Sequence, residues 1–192
     1  MGEKPMNEIL KQTLDRLLRE KDRVLVALEG PCTAGKTTLA AQMEREYDCN
    51  VFHMDDFFLR PHQRTGERLS QPGGNVDYER FREEVLDPLL AGKSFSFRPY
   101  DCSTGQLSSP VAVEPKKLNI IEGTYSHHPF FGDRYDLRLF LAVSPETQRS
   151  RVLARPAFLH DRFFGEWIPM EEQYFAAFSV REQSDFVLEE EM

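Results

Sequence analysis

Apolar residues recur at three-to-four spacing near the start of the chain: Met6, Ile9, Leu10, Leu14, Leu17 and Leu18, with Thr13 in step and Glu, Lys, Gln, Asp and Arg between them. This period predicts an amphipathic helix over residues 6–20, within an N-terminal helical element of residues 1–21 that packs on the body of the domain. The pattern then changes. Residues 24–28 (Val, Leu, Val, Ala, Leu) form a short apolar run that reads as a buried strand, and residues 38–46 return to helical character. Residues 50–53 predict a second strand, and 59–76 are polar and irregular. A loop of that length inside a small domain is usually functional or mobile. Asp77 is placed to cap a helix over 78–86 that stops between Pro88 and Gly92. Polar and aromatic residues alternate over 94–98, a half-buried strand, and Val111 to Val113 can pair back on it as a small arm. Residues 117–122 and 136–143 read as buried strands. Ser144 with Pro145 opens a further helix, 169–180 is helical, and 186–188 make a last strand before a charged, frayed tail.

Strands alternating with helices predict an α/β fold, a parallel sheet flanked by helices, in a single domain over 1–192. Where the first strand meets the second helix stands Gly30-Pro31-Cys32-Thr33-Ala34-Gly35-Lys36-Thr37, a match to G-x-x-x-x-G-K-[ST]. The context is what the chemistry needs. Backbone N–H groups of a tight loop can surround an anion, and the helix N-terminus adds partial positive charge. The motif makes this a P-loop NTPase fold. Gly30 to Thr37, with Thr38, are the ATP-binding candidates, Lys36 reaches the β/γ-phosphates and the Thr37 hydroxyl is a Mg²⁺ ligand.

Charge narrows the partners. The net charge of −8 argues against a nucleic-acid platform, which wants a basic face. No apolar run is long enough to span a membrane and no targeting signal is visible, so the expected location is the cytoplasm. The three cysteines, Cys32, Cys49 and Cys102, include no C-x-x-C pair, so free thiols are expected. Cys32 reads as a small residue that fits its loop, with thiol modification as the other reading. A homo-oligomer is left open.

Further candidates lie at predicted strand ends. Asp55 and Asp56 follow the second strand, at the edge where α/β sheets bind ligands. Asp55 reads either as a general base or Mg²⁺-organising group, or as a turn cap. Glu122 closes an apolar strand in a Walker-B-like way and is a metal candidate. His127 and His128 are adjacent in a loop and read as loop residues, not ligands. Arg151 and Arg155 are four apart on the helix after Ser144, sharing a face, and Arg162 follows in a segment that Pro156 begins. Arginines there suit a lid over 156–168 that excludes water and balances phosphoryl charge. For arginines alone, a solvated face is the commoner role.

With these residues placed, the chain resembles the uridine kinase-like P-loop nucleoside kinases over about residues 23–188, and is also similar to the nicotinamide riboside kinases. His53-Met54-Asp55-Asp56-Phe57-Phe58 and Phe164-Gly165-Glu166-Trp167-Ile168-Pro169-Met170 look like segments of the latter. Asn75-Val76-Asp77 and Pro99-Tyr100-Asp101 look like the former. The resemblance implies an ATP- and Mg²⁺-dependent kinase whose acceptor is the 5′-hydroxyl of a nucleoside. In it Asp55 takes the acceptor proton and Asp77 holds ribose hydroxyls. Tyr100 and Asp101 line the acceptor pocket, Glu122 organises Mg²⁺, and Arg151, Arg155 and Arg162 close over the phosphates. Arg151 also touches the acceptor, and Lys36, Arg151 and Arg155 join Asp55 as catalytic candidates. Two departures stand out. Uridine kinases follow their Tyr-Asp with a histidine and an arginine that help read the base, and residues 102–107 contain neither, positions 105 and 107 being Gly105 and Leu107. The usual His-Pro-Asp after the Asn-x-Asp segment is replaced by Tyr78 and Glu79. Nicotinamide riboside, pantothenate-like or sugar acceptors are therefore the alternatives. A nucleotide-switched regulator is the reading from another class; no N-K-x-D guanine-reading segment is present.

Overall fold

The computed structural model describes residues 6–189. The first residues of the 1–21 helical element and the end of the charged tail lie outside the described residues. Five parallel strands form the central sheet, in the order β2 (Cys49–His53), β7 (Leu118–Glu122), β1 (Val24–Glu29), β8 (Leu137–Ala142), β9 (Phe186–Glu189). The expected α/β architecture, a P-loop NTPase-like sheet flanked by helices, is what the chain adopts.

Both faces of the sheet are covered, and the alternation along each strand says by what. Val24, Val26 and Leu28 of β1, with Leu118 and Ile120 of β7, point to α1 (Glu8–Glu20) and α2 (Lys36–Glu46), joining Leu10, Leu14, Leu17, Ala40 and Met43. Leu25 and Ile121 point the other way, into a layer of Phe52, Phe57, Phe81, Phe97, Phe131 and Tyr174. α1 begins where Asn7 accepts hydrogen bonds from the N–H groups of Ile9 and Leu10, and it buries Leu10, Leu14 and Leu17, the stripe its spacing predicts. Packing against the sheet is its role here.

The small arm forms as expected. β3 (Phe95–Phe97) pairs antiparallel with β6 (Val111–Val113). Inside it a second hairpin pairs β4 (Tyr100–Asp101) with β5 (Gln106–Leu107), strands that the turn-like composition of 102–110 does not announce. Asp77 caps the helix beginning at Tyr78, accepting from the N–H of Arg80 at 3.2 Å. The helical run continues through a π-helical turn (Arg82–Leu86) to Leu90.

Three local expectations change. The 59–76 segment is not a bare loop: it holds short helices at Pro61–Gln63 and Gly66–Leu69, and Arg68 pins it by donating to Gly74 O, Val76 O and both oxygens of Glu79. Arg151 and Arg155 do not share a helix face. The helix Pro145–Leu153 is capped at Ala154, whose N–H bonds back to Ser150, and Pro156 lacks the N–H that would carry it further. The 156–168 segment, the lid candidate, is helical, with short turns at Ala157–Leu159 and His160–Arg162 and a π-helical turn at Phe163–Trp167 that runs without a break into the helix Ile168–Phe178.

Candidate active site

β1 delivers Gly30 to a spot where no side chain fits. Its φ is +144°, and a Cβ there would lie 2.4 Å from the carbonyl oxygen of Leu141 on β8. Gly35 is left-handed, with φ +98°, and turns the chain into α2. No side chain caps α2, so its first-turn N–H groups are left for another acceptor, the arrangement that binds anions. Lys36 is buried and donates to Gly30 O at 2.7 Å, Pro31 O at 2.9 Å and Thr124 Oγ1 at 3.2 Å, which holds its ammonium inside the loop. Cys32 is a protonated thiol. Burial and then the neighbouring Glu171 push it up to about 12, which removes the nucleophilic thiolate and leaves the small-residue reading. All three cysteines are free.

Parallel register brings the acidic candidates together. His53 of β2 and Leu28 of β1 both align with Glu122 of β7. Glu122 accepts from Thr37 Oγ1 at 3.3 Å, so the two metal candidates are neighbours. Among the described residues no group of three or more His, Cys, Asp or Glu is arranged to hold a metal. A Thr37–Glu122 pair fits Mg²⁺ only if phosphate and water oxygens complete its shell, which is the usual habit of that ion. Gly123, with φ +133°, lets the turn Met54–Phe57 lie against β7; a Cβ there would be 2.8 Å from Met54 Cβ. That turn carries Asp55. Solvent reaches Asp55, yet protein surrounds it in the cleft, and its carboxyl is raised above the ordinary range. Desolvation is the main cause and Glu122 adds to it, while Lys36 and His53 oppose it.

Two residues absent from the sequence-derived list shape this edge. His53 Nδ1 lies 2.5 Å from Glu122 Oε1, and that hydrogen bond raises the imidazole's pKa, outweighing its partial burial. Arg80, buried, donates to Asp56 O at 2.7 Å and Arg98 O at 2.8 Å and lies over the Phe57 ring at 4.2 Å. It ties the Asp55 turn to the arm. Only the alignment of β2 with β7 could have exposed His53. Nothing in the sequence around Arg80 distinguishes it from a helix-surface cation.

The acceptor-side candidates divide. Asp77 is buried and its second oxygen accepts from Gln63 Nε2 at 2.8 Å, with Arg60 at 3.6 Å and Arg80 at 3.7 Å. Its carboxylate is committed to holding 60–63 against the helix. Asp101 accepts from the N–H and hydroxyl of Ser103, which shapes the tight hairpin, and Tyr100 is half-buried beside it. At the hairpin's turn Cys102 lies within electrostatic reach of Asp55, Arg64 and Arg162. Arg64 in turn meets Glu166 of the 156–168 segment at 3.8 Å. Arg151 Nη1 donates to Thr33 O at 2.9 Å, so it touches the P-loop. Arg155 is exposed beyond its helix, and Arg162 is exposed, paired with Glu166 and over the Trp167 ring.

Behind the site, two histidines in the loop after β7 are held neutral. Burial pushes His128 down to about 4 and His127 to about 3. His128 stacks on Tyr78, with ring centroids 4.3 Å apart, and its Nδ1 accepts from Phe130 N–H, which requires an unprotonated nitrogen. The unfolded chain protonates His128 near pH 6.5 and the folded chain does not until about 4. The stability this histidine contributes is therefore full above pH 6.5 and is lost as pH falls toward 4, by about 1.4 kcal/mol per unit. In urea unfolding, the free-energy advantage of the parent over His128→Gln should shrink little between pH 7 and 6.5 and approach that slope between pH 6 and 5. A pH-independent difference would refute the assignment, because other titrating groups are common to both proteins.

No family model matches the chain. It is 27% identical over 135 residues to a phosphoribulokinase of Synechocystis sp., a match covering 65% of this chain and 39% of that protein. The chain thus spans about two fifths of the length of that curated relative. A solved structure described as a possible uridine kinase from Bacillus stearothermophilus superposes with a TM-score of 0.67 at 20% identity, over 94% of this chain and 99% of that one. A shikimate kinase from Bacteroides thetaiotaomicron superposes at a TM-score of only 0.43 with 16% identity, over 85% of each chain, and carries no weight. The chain shares the α/β, P-loop NTPase-like fold of that Bacillus structure. Among the described residues no helix is long and apolar enough to cross a membrane.

Proposed function

We propose that the protein is an ATP- and Mg²⁺-dependent kinase that transfers the γ-phosphate to a hydroxyl of a small molecule, with the 5′-hydroxyl of a nucleoside as the leading acceptor. The observation that carries this reading is the common edge of three strands. There a carboxyl of raised pKa, Asp55, stands with Lys36, Thr37 and Glu122. A phosphate-binding protein needs only the loop; a protein that transfers the phosphate to an acceptor also needs a base beside it. Phosphoryl transfer requires positioning and charge balance more than covalent chemistry. P-loop N–H groups and Lys36 hold the phosphates. Thr37 and Glu122 would hold Mg²⁺, which would offset the charge of the phosphates. Asp55 accepts the acceptor's proton, its raised pKa making it a stronger base than an ordinary aspartate. Arg151 and Arg162 supply cations at the phosphates, with Arg155 reaching them only if the lid moves.

The 102–107 turn favours a second reading of the acceptor. It offers Ser103, Thr104 and Gln106 where uridine kinases read a base with histidine and arginine, so nicotinamide riboside or another small metabolite is the alternative. The relative in Synechocystis is named for phosphoribulose, which puts a phosphorylated pentose among the acceptors to try. Incubation with γ-labelled ATP and a panel of nucleosides, nicotinamide riboside, pantothenate, sugars and sugar phosphates tests the proposal. Label transfer to one class identifies the acceptor. ATP binding without transfer to any member would overturn the kinase reading and favour a nucleotide-switched regulator.

A further inference from the structure

The alternation that points Leu25 and Ile121 away from α2 places Glu29, the last residue of β1, on the same face, beneath the helix Ile168–Phe178. Glu29 is fully buried and accepts four hydrogen bonds: from Gly30 N at 2.9 Å, Tyr125 N at 3.2 Å, His127 N at 3.1 Å and the hydroxyl of Tyr174 at 3.1 Å. One turn before Tyr174 on that helix is Glu171, also buried. Its Oε2 accepts from the P-loop's Cys32 N at 2.8 Å, and its Oε1 lies 3.4 Å from Thr124 Oγ1. Thr124 donates to Gly30 O at 2.9 Å and accepts from Lys36 Nζ at 3.2 Å. The helix that carries Glu171 and Tyr174 continues directly from the lid's π-helical turn.

Backbone N–H groups buried without a partner are costly, so the shape of the loop at Gly30 and Cys32 depends on these two carboxylates. We propose that Glu171 and Tyr174 are positioning residues that fasten the lid-bearing helix to the P-loop, at Cys32 directly, at Gly30 through Glu29, and at Lys36 through Thr124. The lid helix thereby sets the shape of the phosphate cradle, and movement of the lid is felt at Lys36. Neither side chain needs to touch nucleotide. The spacing of three puts both on one helix face, toward β1. The consequence for phosphate binding rests on the kinase reading above; the fastening itself does not.

Three variants test it: Glu171→Ala, which removes the acceptor; Glu171→Gln, which keeps an oxygen for Cys32 N–H and an amide that can donate to Thr124; and Tyr174→Phe, which removes only a hydroxyl. The first readout is hydrogen exchange of the P-loop peptide 28–37. Exchange should rise about tenfold in Glu171→Ala and Tyr174→Phe and stay within about threefold of the parent in Glu171→Gln. The second is the Kd of a fluorescent ATP analogue, expected to weaken about tenfold in the first pair, with the acceptor KM within about twofold of the parent. Unchanged P-loop exchange in Tyr174→Phe, which should fold whatever becomes of the alanine variant, overturns the fastening. A fall in melting temperature with ATP and acceptor affected alike overturns positioning in favour of a merely structural role. A parent that binds no ATP but shows the exchange pattern overturns the kinase reading and leaves the fastening supported.

Discussion

Replacing Asp55 by asparagine is expected to cut turnover by about 10²–10⁴-fold while ATP still binds. The asparagine fits the same turn: no hydrogen bond of the Asp55 carboxylate to another described residue is lost, and the backbone stays pinned through Arg80 on Asp56 O. What disappears is a carboxylate able to take a proton. The raised pKa of Asp55 adds a second signature. The base works only when ionised, so the acid limb of the pH–kcat/KM profile should lie above the ordinary aspartate range in the parent and be lost in Asp55→Asn. Single-turnover kinetics with labelled ATP, beside an ATP titration, separates the two steps. Turnover within a few-fold of the parent would return Asp55 to the role of a turn residue.

Lys36→Ala should be as severe by a different route, with transfer reduced by at least about 10²-fold and nucleotide binding weakened as well. The ammonium is held between Gly30 O and Pro31 O, so its removal takes away both a cation at the phosphates and a cross-link within the loop. It also removes the positive charge that partly offsets Asp55, Glu29 and Glu171. Burial already raises Glu29 to about 7 and raises Glu171, and the loss of Lys36 leaves these carboxylates without their shared cation. The variant's residual activity, where measurable, should show its acid limb shifted upward from the parent's. Unaltered ATP affinity and turnover in Lys36→Ala would remove the P-loop reading altogether. Asp55→Asn and Lys36→Ala are thus distinguishable: the first separates binding from transfer and the second damages both.

Much of the fold is legible from period and punctuation. Leu10, Leu14 and Leu17 at helical spacing predict α1, and the apolar runs at 24–28 and 117–122 predict β1 and β7, because burial on both faces of a parallel strand leaves no room for polar alternation. Asp77 as a cap follows from its place before Tyr78. The helical character of 156–168 was less visible. Pro156 and the glycine at 165 read as loop punctuation, whereas the chain absorbs Gly165 in a π-helical turn that aromatic contacts hold, Phe163 edge-on to Trp167 at 4.6 Å. Arg155 left the helix face for the reason that spacing counts only while the helix lasts.

The candidate site shows the same division. A glycine-rich loop between a strand and a helix is a local motif, so Gly30 to Thr37 could be read without the rest of the chain. The residue types that define the motif all lie within eight positions. The sequence by itself also settled that an acid ends β7 and that an acid follows β2. Which acids meet was decided only by strand register, which aligns His53 and Leu28 with Glu122 across some seventy and ninety residues. The same is true of Glu29 and Glu171. Each reads alone as an ordinary acid, one closing an apolar strand and the other on a helix. They become partners of the P-loop because the helix Ile168–Phe178 packs where β1 ends, and a carboxylate buried there must find donors. Hydrogen bonds between distant segments leave no periodic trace in a sequence. The tertiary fold alone chose the partners, since only it fixes which polar groups lose water together.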